Sequence, residues 1–416
     1  MKNKISQIIY DLRTQPVIGW VTIIGTALSI FLIMIVVMMQ QVSVLSYAPE
    51  TKRDRMLYGM YLHLEGDGEH TGSSSMSYTL AKKLYGDLDG IEEISYHSDW
   101  LTPVDAKGTT GKPYTVDMHK TDDGFWRVYD FELLEGRFYD AAEVETNRNL
   151  AVITEKTARR LFGDDNVVGL HFMLDHNDFE VIGVVADVSK FATMAYGEVF
   201  APINQNGWDE YFGDISAAML VKPGVDFDYI RNQVKGRYAA LDGELAADNR
   251  QTVYHESPYD QETVASGVGG SNMTPDPDSS RYTRYVIYII LLIVPAINLS
   301  SMLHSRMRRR INEIGIRRAF GCTRKRIIQE ILSESFIITL IGGVIGLVSA
   351  VIFAMLYGGL YSDFGSASVR PSLSMLIRPQ TFVFALGACF ILNIISAAVP
   401  AWQASRLNPV EAINTK

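Results

Sequence analysis

Long runs of apolar residues alternate in this chain with charged, strand-and-helix patterned sequence. The run from Thr14 to Pro49 has no charged residue, and its centre from Val17 to Met39 is dense in Ile, Val, Leu and Met. Three more uncharged runs follow: Tyr285–Leu303 with Pro295 and Asn298, Ser335–Ser362 with Gly342, Gly343 and Gly346 inside, and Pro379–Ser405 with Asn393 and Pro400. A helix needs about 20 such residues to cross a bilayer, so the pattern predicts four membrane-spanning helices. The first run is too long for the apolar core of a signal peptide, about 7–15 residues, and is expected to stay as a span. The proline in the second run predicts a kink that neighbouring helices accommodate.

The expected order is a cytoplasmic segment 1–16, a first span 17–40, an outer domain 50–281 and a second span 284–303. Cytoplasmic coupling and amphipathic helices at 304–333, a third span 335–360, a short outer loop 361–378, a fourth span 380–402 and a tail 403–416 complete it. Orientation follows from basic residues in short loops. Residues 304–330 hold nine of them, from Arg306 to Arg326, opposed by Glu313 and Glu330 alone. That loop is therefore placed in the cytoplasm, with both termini. Residues 50–281 then face outward.

Between residues 50 and 281 short apolar strands alternate with helical patterns. Leu57–Leu64 reads as a strand and Tyr78–Leu88 as a helix. Ala151-Val152-Ile153 reads as a buried strand, followed by a helix capped by Thr154 and ending at Phe162-Gly163. Phe179–Val185 and Ala217–Val221 read as strands and Tyr229–Tyr238 as a helix. Residues 264–280, rich in Gly, Ser and Pro, read as a loop or linker. The expected fold is a membrane protein of four transmembrane α-helices plus a large α+β extracytoplasmic domain.

Charge sharpens the picture. The chain carries 38 Lys and Arg against 47 Asp and Glu, a net −9, yet the outer block alone carries 21 against 41. Such an acidic surface opposes nucleic-acid binding. The only cysteines are Cys322 and Cys389, so the outer domain has no disulfide and must rest on its own core. Its histidines are scattered, no metal site or catalytic constellation stands out, and His171 and His176, five apart in an expected loop, read as solvated rather than as ligands. No Gly-x-x-x-x-Gly-Lys-Ser/Thr phosphate loop occurs in the 416 residues, so no cofactor is expected in this chain.

The basic loop holds more order than lipid attraction requires. It splits around Gly321-Cys322-Thr323, and its second half places Ile327, Ile328, Ile331 and Leu332 on one face, as in a helix lying on headgroups. Its first half, Glu313-Ile314-Gly315-Ile316-Arg317-Arg318-Ala319-Phe320-Gly321, resembles the EIGxRRAxG motif of MacB/FtsX-family ABC transporter permeases, the type VII class. Pro400–Ala412 is similar to that family's C-terminal tail. Gly136-Arg137-Phe138, Ala158–Gly163 and Val181–Val185 resemble its MacB-like periplasmic core domain. Cys322 departs from the small residue usual there.

The resemblance implies a multi-pass permease of the bacterial inner membrane that dimerises, with itself or a related chain. A separate ABC ATPase subunit binding ATP and Mg would drive it, and the ATPase stroke would reshape the periplasmic domain by mechanotransmission. A periplasmic adaptor and an outer-membrane channel are further candidate partners, beside membrane lipid. Glu313, Ile314, Gly315, Arg317, Arg318, Phe320 and Gly321 would couple to the ATPase, with Ile314 and Phe320 filling a groove and the arginines pairing with carboxylates. Gly342, Gly343 and Gly346 would pack the spans closely, with or without a moving part. The implied function is export or release of a peptide, drug or lipoprotein-like substrate. The alternative is an FtsX-like regulator that activates a periplasmic cell-wall hydrolase.

Overall fold

The computed structural model describes residues 16–66, 71–164, 166–203, 210–266, 273–290 and 320–357, together with single helical positions at 293, 297, 316, 383, 387, 390, 391 and 394. The chain divides into two units. A helical unit holds the described residues up to Val42 and from Arg281 onward, and an α+β unit runs from Ser43 to Ser280.

In the helical unit, α1 spans Pro16–Val44, and residues 277–290, which lead into this unit, are also helical. A last long helix follows, numbered α8 after those of the α+β unit, spanning Arg324–Tyr357. Residues 324–333, which read in the sequence as a separate amphipathic helix, are thus continuous with the third apolar run, because no Gly or Pro interrupts the backbone bonds between Arg324 and Ile341. Among the described residues, one helical stretch, Phe336–Phe353, is long and apolar enough to cross a membrane, with mean hydropathy 2.6, and Ile23–Met38 is a shorter apolar stretch. Large apolar side chains such as Leu340, Val344, Val348 and Ile352 are exposed along α8.

The α+β unit is built on one large sheet. Its strands include β1 (Met56–Gly59), β4 (Ile91–Ser98), β5 (Thr102–Lys107), β6 (Pro113–Thr121) and β7 (Leu133–Gly136). They continue with β8 (Leu150–Thr154), β9 (His171–Leu174), β10 (Asn177–Val185), β11 (Val199–Pro202), β12 (Ile215–Val221) and β14 (Tyr259–Asp260). The order is β11-β8-β10-β9-β5-β6-β4-β12-β1-β14, and β11 also pairs with β6, so the first six close into a ring. A second sheet joins β13 (Arg250–Thr252), β2 (Tyr61–Gly66) and β3 (Gly72–Ser75). Leu57–Leu64 is therefore two strands. After Gly59 the chain leaves β12 and β14 for β3 and β13. Gly59 itself lies against the Tyr85 ring, where a Cβ would come within 2.4 Å of Cζ.

Period-two alternation splits the strands between two cores. Ala151 and Ile153 of β8 join Val181, Val184, Phe172, Leu174, Val104 and Val116 in one cluster. Leu150 and Val152 face the other, larger cluster, with Phe200, Ile215 and Met219. Two helices serve this larger core: α2 (Tyr78–Tyr85) buries Leu80, Ala81, Leu84 and Tyr85. The 19-residue α6 (Phe227–Leu245) buries Ile230, Val234, Tyr238, Leu241 and Leu245 on one stripe. Short helices α3 (Phe125–Val128), α4 (Ala141–Glu145) and α7 (Gln261–Ala265) fill turns. Between them, α5 (Glu155–Phe162) starts as its sequence indicates: Thr154 Oγ1 accepts from Thr157 N, and Gly163 ends it at φ 78°.

Two loop readings change. His171 lies in β9, and its Nδ1 meets Asp178 Oδ2 on β10 at 2.9 Å, while His176 points into solvent at the hairpin turn. The linker 264–280 contains the end of α7 and the first helical residues from 277. Asp276 starts that run by accepting from Ser279 N at 2.9 Å.

Candidate functional site

The coupling residues named from the sequence fall largely outside the described residues: Glu313, Ile314, Gly315, Arg317 and Arg318 are among these. Ile316 is helical and exposed. Phe320 is 88% exposed, and its N–H donates to Ile316 O at 3.1 Å, closing one helical turn. Ile316 and Phe320, four apart, therefore share a face. Gly321 follows at φ 91°, which a side-chain-bearing residue rarely adopts. Thr323 then opens α8, its carbonyl accepting from Arg326 N and Ile327 N.

The three packing glycines lie on α8, all buried. A Cβ on Gly342 would sit 2.9 Å from Thr26 Cβ, and one on Gly346 would sit 2.5 Å from Ala27 O. Ala350 continues their stripe and is fully buried. The facing residues Ile23, Thr26, Ala27 and Ile30 are buried on α1. Phe31 of α1 and Phe353 of α8 meet edge to face with centroids 5.5 Å apart. The geometry is that of two apolar helices brought to backbone contact by small residues. Gly343 is buried on the same helix.

A second constellation, not named from the sequence, lies where the chain leaves α1. Arg53 and Glu50 are 1% and 2% exposed. Arg53 Nε donates to Glu50 Oε2 at 2.5 Å. Its Nη1 donates to Leu45 O at 3.0 Å, and its Nη2 to Tyr47 Oη at 3.0 Å and Phe191 O at 2.9 Å. The guanidinium also lies over the Tyr47 ring, 4.3 Å from its centroid. Glu50 Oε1 accepts from Met194 N at 3.0 Å and Ala195 N at 2.9 Å. Burial opposes the Arg53 charge, but the Glu50 carboxylate together with the neighbouring tyrosines more than offsets it and keeps the guanidinium above its usual range.

One planar cation thus ties the chain just beyond α1 to the 189–196 loop, more than 130 residues away. The other end of that loop is held by His119 of β6, whose Nδ1 meets Tyr196 O at 2.7 Å. Burial pushes His119 down to about 4, so it stays neutral near pH 7 and donates from Nδ1. His97 packs edge to face on it, centroids 5.4 Å apart, and burial lowers it as well. The sequence signal for this constellation was faint: charged Glu50 and Arg53 stand beside the first apolar run, but their partners on residues 191–195 are main-chain groups that no side-chain pattern reveals.

In the stretch between β13 and β14, a third cluster appears. His63 Nδ1 of β2 and His255 Nε2 lie 2.9 Å apart with rings stacked at 16°. Among the described residues, no group of three or more His, Cys, Asp or Glu is placed to hold a metal ion.

The chain thus combines a helical unit packed through small residues with an α+β unit. The model of the MacB-like periplasmic core domain matches residues 20–237, and that of the FtsX-like permease C-terminal region matches 285–409. This chain belongs to the MacB/FtsX family of ABC transporter permeases.

Three relatives frame it. The macrolide export ATP-binding/permease protein MacB of Chromobacterium violaceum is 25% identical over 338 residues, covering 79% of this chain and 48% of that protein. The uncharacterized ABC transporter permease YknZ of Bacillus subtilis is 26% identical over 296 residues, 70% of this chain and 68% of that one. The pyoverdine export ATP-binding/permease protein PvdT of Pseudomonas entomophila is 24% identical over 314 residues, 74% and 44%. The chain therefore spans about half the length of MacB and less than half of PvdT.

Among solved structures, the periplasmic region of MacB from Actinobacillus actinomycetemcomitans is similar with TM-score 0.36 and 15% identity, over 50% of this chain and 90% of that one. The extracellular domain of the YknZ transporter from Gram-positive bacteria is similar with TM-score 0.33 and 14% identity, over 47% and 100%.

Proposed function

We propose that this chain is the permease that carries the stroke of an ABC ATPase to its periplasmic core domain, for export or release of a peptide, drug or lipoprotein-like substrate. Four spans hold it in the inner membrane with both termini in the cytoplasm. ATP and Mg belong to the ATPase, a separate subunit, and two permease chains work as a pair.

The observation that carries this reading is the Ile316–Phe320 face. A phenylalanine 88% exposed, set one tight turn at Gly321 ahead of the helix that runs from Arg324 into an apolar stretch, is a large uncompensated apolar group. Docked in an ATPase groove it loses that exposure, and α8 conveys any displacement as a rod. Support also comes from the tight α1–α8 contact, since helices touching through backbone atoms move together.

The test is co-purification with the ATPase expressed beside it, for wild type, Phe320→Ala, Ile314→Asp and Arg317→Glu. The expected result is at least tenfold less ATPase retained by each variant and loss of coupled hydrolysis. If all three keep the ATPase bound and active, residues 311–321 are a lipid anchor and the coupling role is wrong.

A further inference from the structure

The histidine pair bridges three segments. His63 belongs to β2. His255 follows β13 in the stretch that crosses to β14, and its Nδ1 meets Thr274 Oγ1 at 2.8 Å. Thr274 precedes Asp276, which caps the helical run leading out of the α+β unit. The chain His63–His255–Thr274 therefore pins the exit segment 273–277 to the second sheet. The local backbone reinforces its inner end, since Val253 N donates to His63 O at 2.9 Å. The outer end has no such backbone ladder in the bonds described.

The surroundings decide how the pair responds to protons. On β2, Glu65 Oε1 lies 3.9 Å from His63 Nε2. On β3, Ser73 stands opposite His63 and donates instead to Leu62 O. On β13, Arg250 is engaged by Asp248 at 2.7 Å and lies over the Tyr211 ring. Glu256 adjoins His255, and Asp276 is committed to its cap. Glu65 is thus the carboxylate within reach of the pair, and it favours a first proton. Burial and then His63 hold His255 below the ordinary imidazole range.

A neutral pair needs one N–H between the two rings, and the Thr274 hydroxyl donates or accepts to suit either tautomer. One added proton leaves that bond in place. A second makes both facing nitrogens donors at 2.9 Å, with like charges and no acceptor between them, and the contact must open.

We propose that His63, His255 and Thr274 form a proton-operated latch on the exit segment of the periplasmic core domain, closed when the histidines share a single N–H and open when both are charged. The sign follows from the opened state, whose imidazoles take up protons at the ordinary value of about 6.5, whereas the closed pair takes up its second proton only at lower pH. Latching is therefore complete above that value and is lost as pH falls below it. This goes beyond the permease reading, and its test involves no ATPase.

The experiment is hydrogen–deuterium exchange of residues 273–280 in the full chain in lipid nanodiscs, at pH 7.5 and 5.5, corrected for intrinsic exchange. The amides of Ser279 and Ser280, which donate to Asp276, report the segment. Wild type is expected to exchange at least tenfold faster at pH 5.5. His63→Ala and His255→Gln are expected to show one corrected rate at both pH values, since neither retains a pair that can take two protons. Equal corrected rates in wild type, or a wild-type pH dependence surviving in both variants, overturns the latch.

Discussion

The chain enters the α+β unit beside Arg53 and leaves it beside His255, and the two junctions rest on opposite electrostatics. At the entry, a permanently charged guanidinium is buried with its carboxylate, and the two side chains bind four main-chain groups and a phenol between them. Such a knot is costly to break. At the exit, two partly buried imidazoles and one hydroxyl make a short chain that, as proposed, a pair of protons opens. If the exit contact opens as proposed, the segment 273–277 is the one that yields to acid, while the Arg53 contacts stay in place.

The largest expected effect comes from breaking the entry. Arg53→Met leaves Glu50 buried without its countercharge, and the unit should lose about 3–5 kcal/mol, read by chemical unfolding followed through its tryptophans. Replacing both partners, Glu50→Gln with Arg53→Met, should recover part of that loss, because the stranded charge is gone. Equal loss in single and double variants would mean that packing around Tyr47, not charge, holds the entry.

Acid sharpens the comparison only within a window. His119 is held down to about 4 by burial, against about 6.5 in the unfolded chain. Its contribution is intact above the unfolded value and declines as pH falls from there towards 4. Over that span the unit should lose roughly 3 kcal/mol, measured as the unfolding midpoint against pH. His119→Gln should flatten the profile in proportion. Local release of 273–280 must therefore be separated from this global softening by comparing exchange there with exchange in β8 and β12, which should remain protected at pH 5.5.

The smallest effect lies away from both junctions. Gly346→Ala places a methyl group against Ala27 O and should cost about 1–3 kcal/mol of overpacking, read as a lower unfolding midpoint of the full chain in detergent. Exchange at both junctions should be unchanged. If the entry loosens as well, α1 packing and the Arg53 knot are one cooperative element.

Much of the architecture was legible where local chemistry decides it. Thr154 caps α5 and Gly163 ends it, because a side-chain oxygen and a left-handed residue act within one turn. The buried runs at Ala151–Ile153 and Phe179–Val185 appeared as strands because they are apolar on both faces. Leu57–Leu64 misled, since its apolar pattern continues across Gly59 while its pairing partners change. The helix beginning at Arg324 was divided in the sequence because basic and apolar residues differ in solvent, not in backbone preference. The coupling motif could be read only as a motif, and of it the described residues add Ile316, Phe320 and Gly321.

Composition and periodicity by themselves determined the apolar runs, the acidity of residues 50–281, the basic loop and the strand-and-helix character between residues 50 and 281. These depend on residue type and near neighbours. Only the tertiary structure decided that Arg53 reaches Phe191, that His119 holds the same loop, that Gly346 meets Ala27 and that His63 faces His255. Each joins residues far apart in the chain, often through main-chain atoms that every residue carries alike. The sequence holds no local mark of such meetings, because the free energy that selects them belongs to the packed whole.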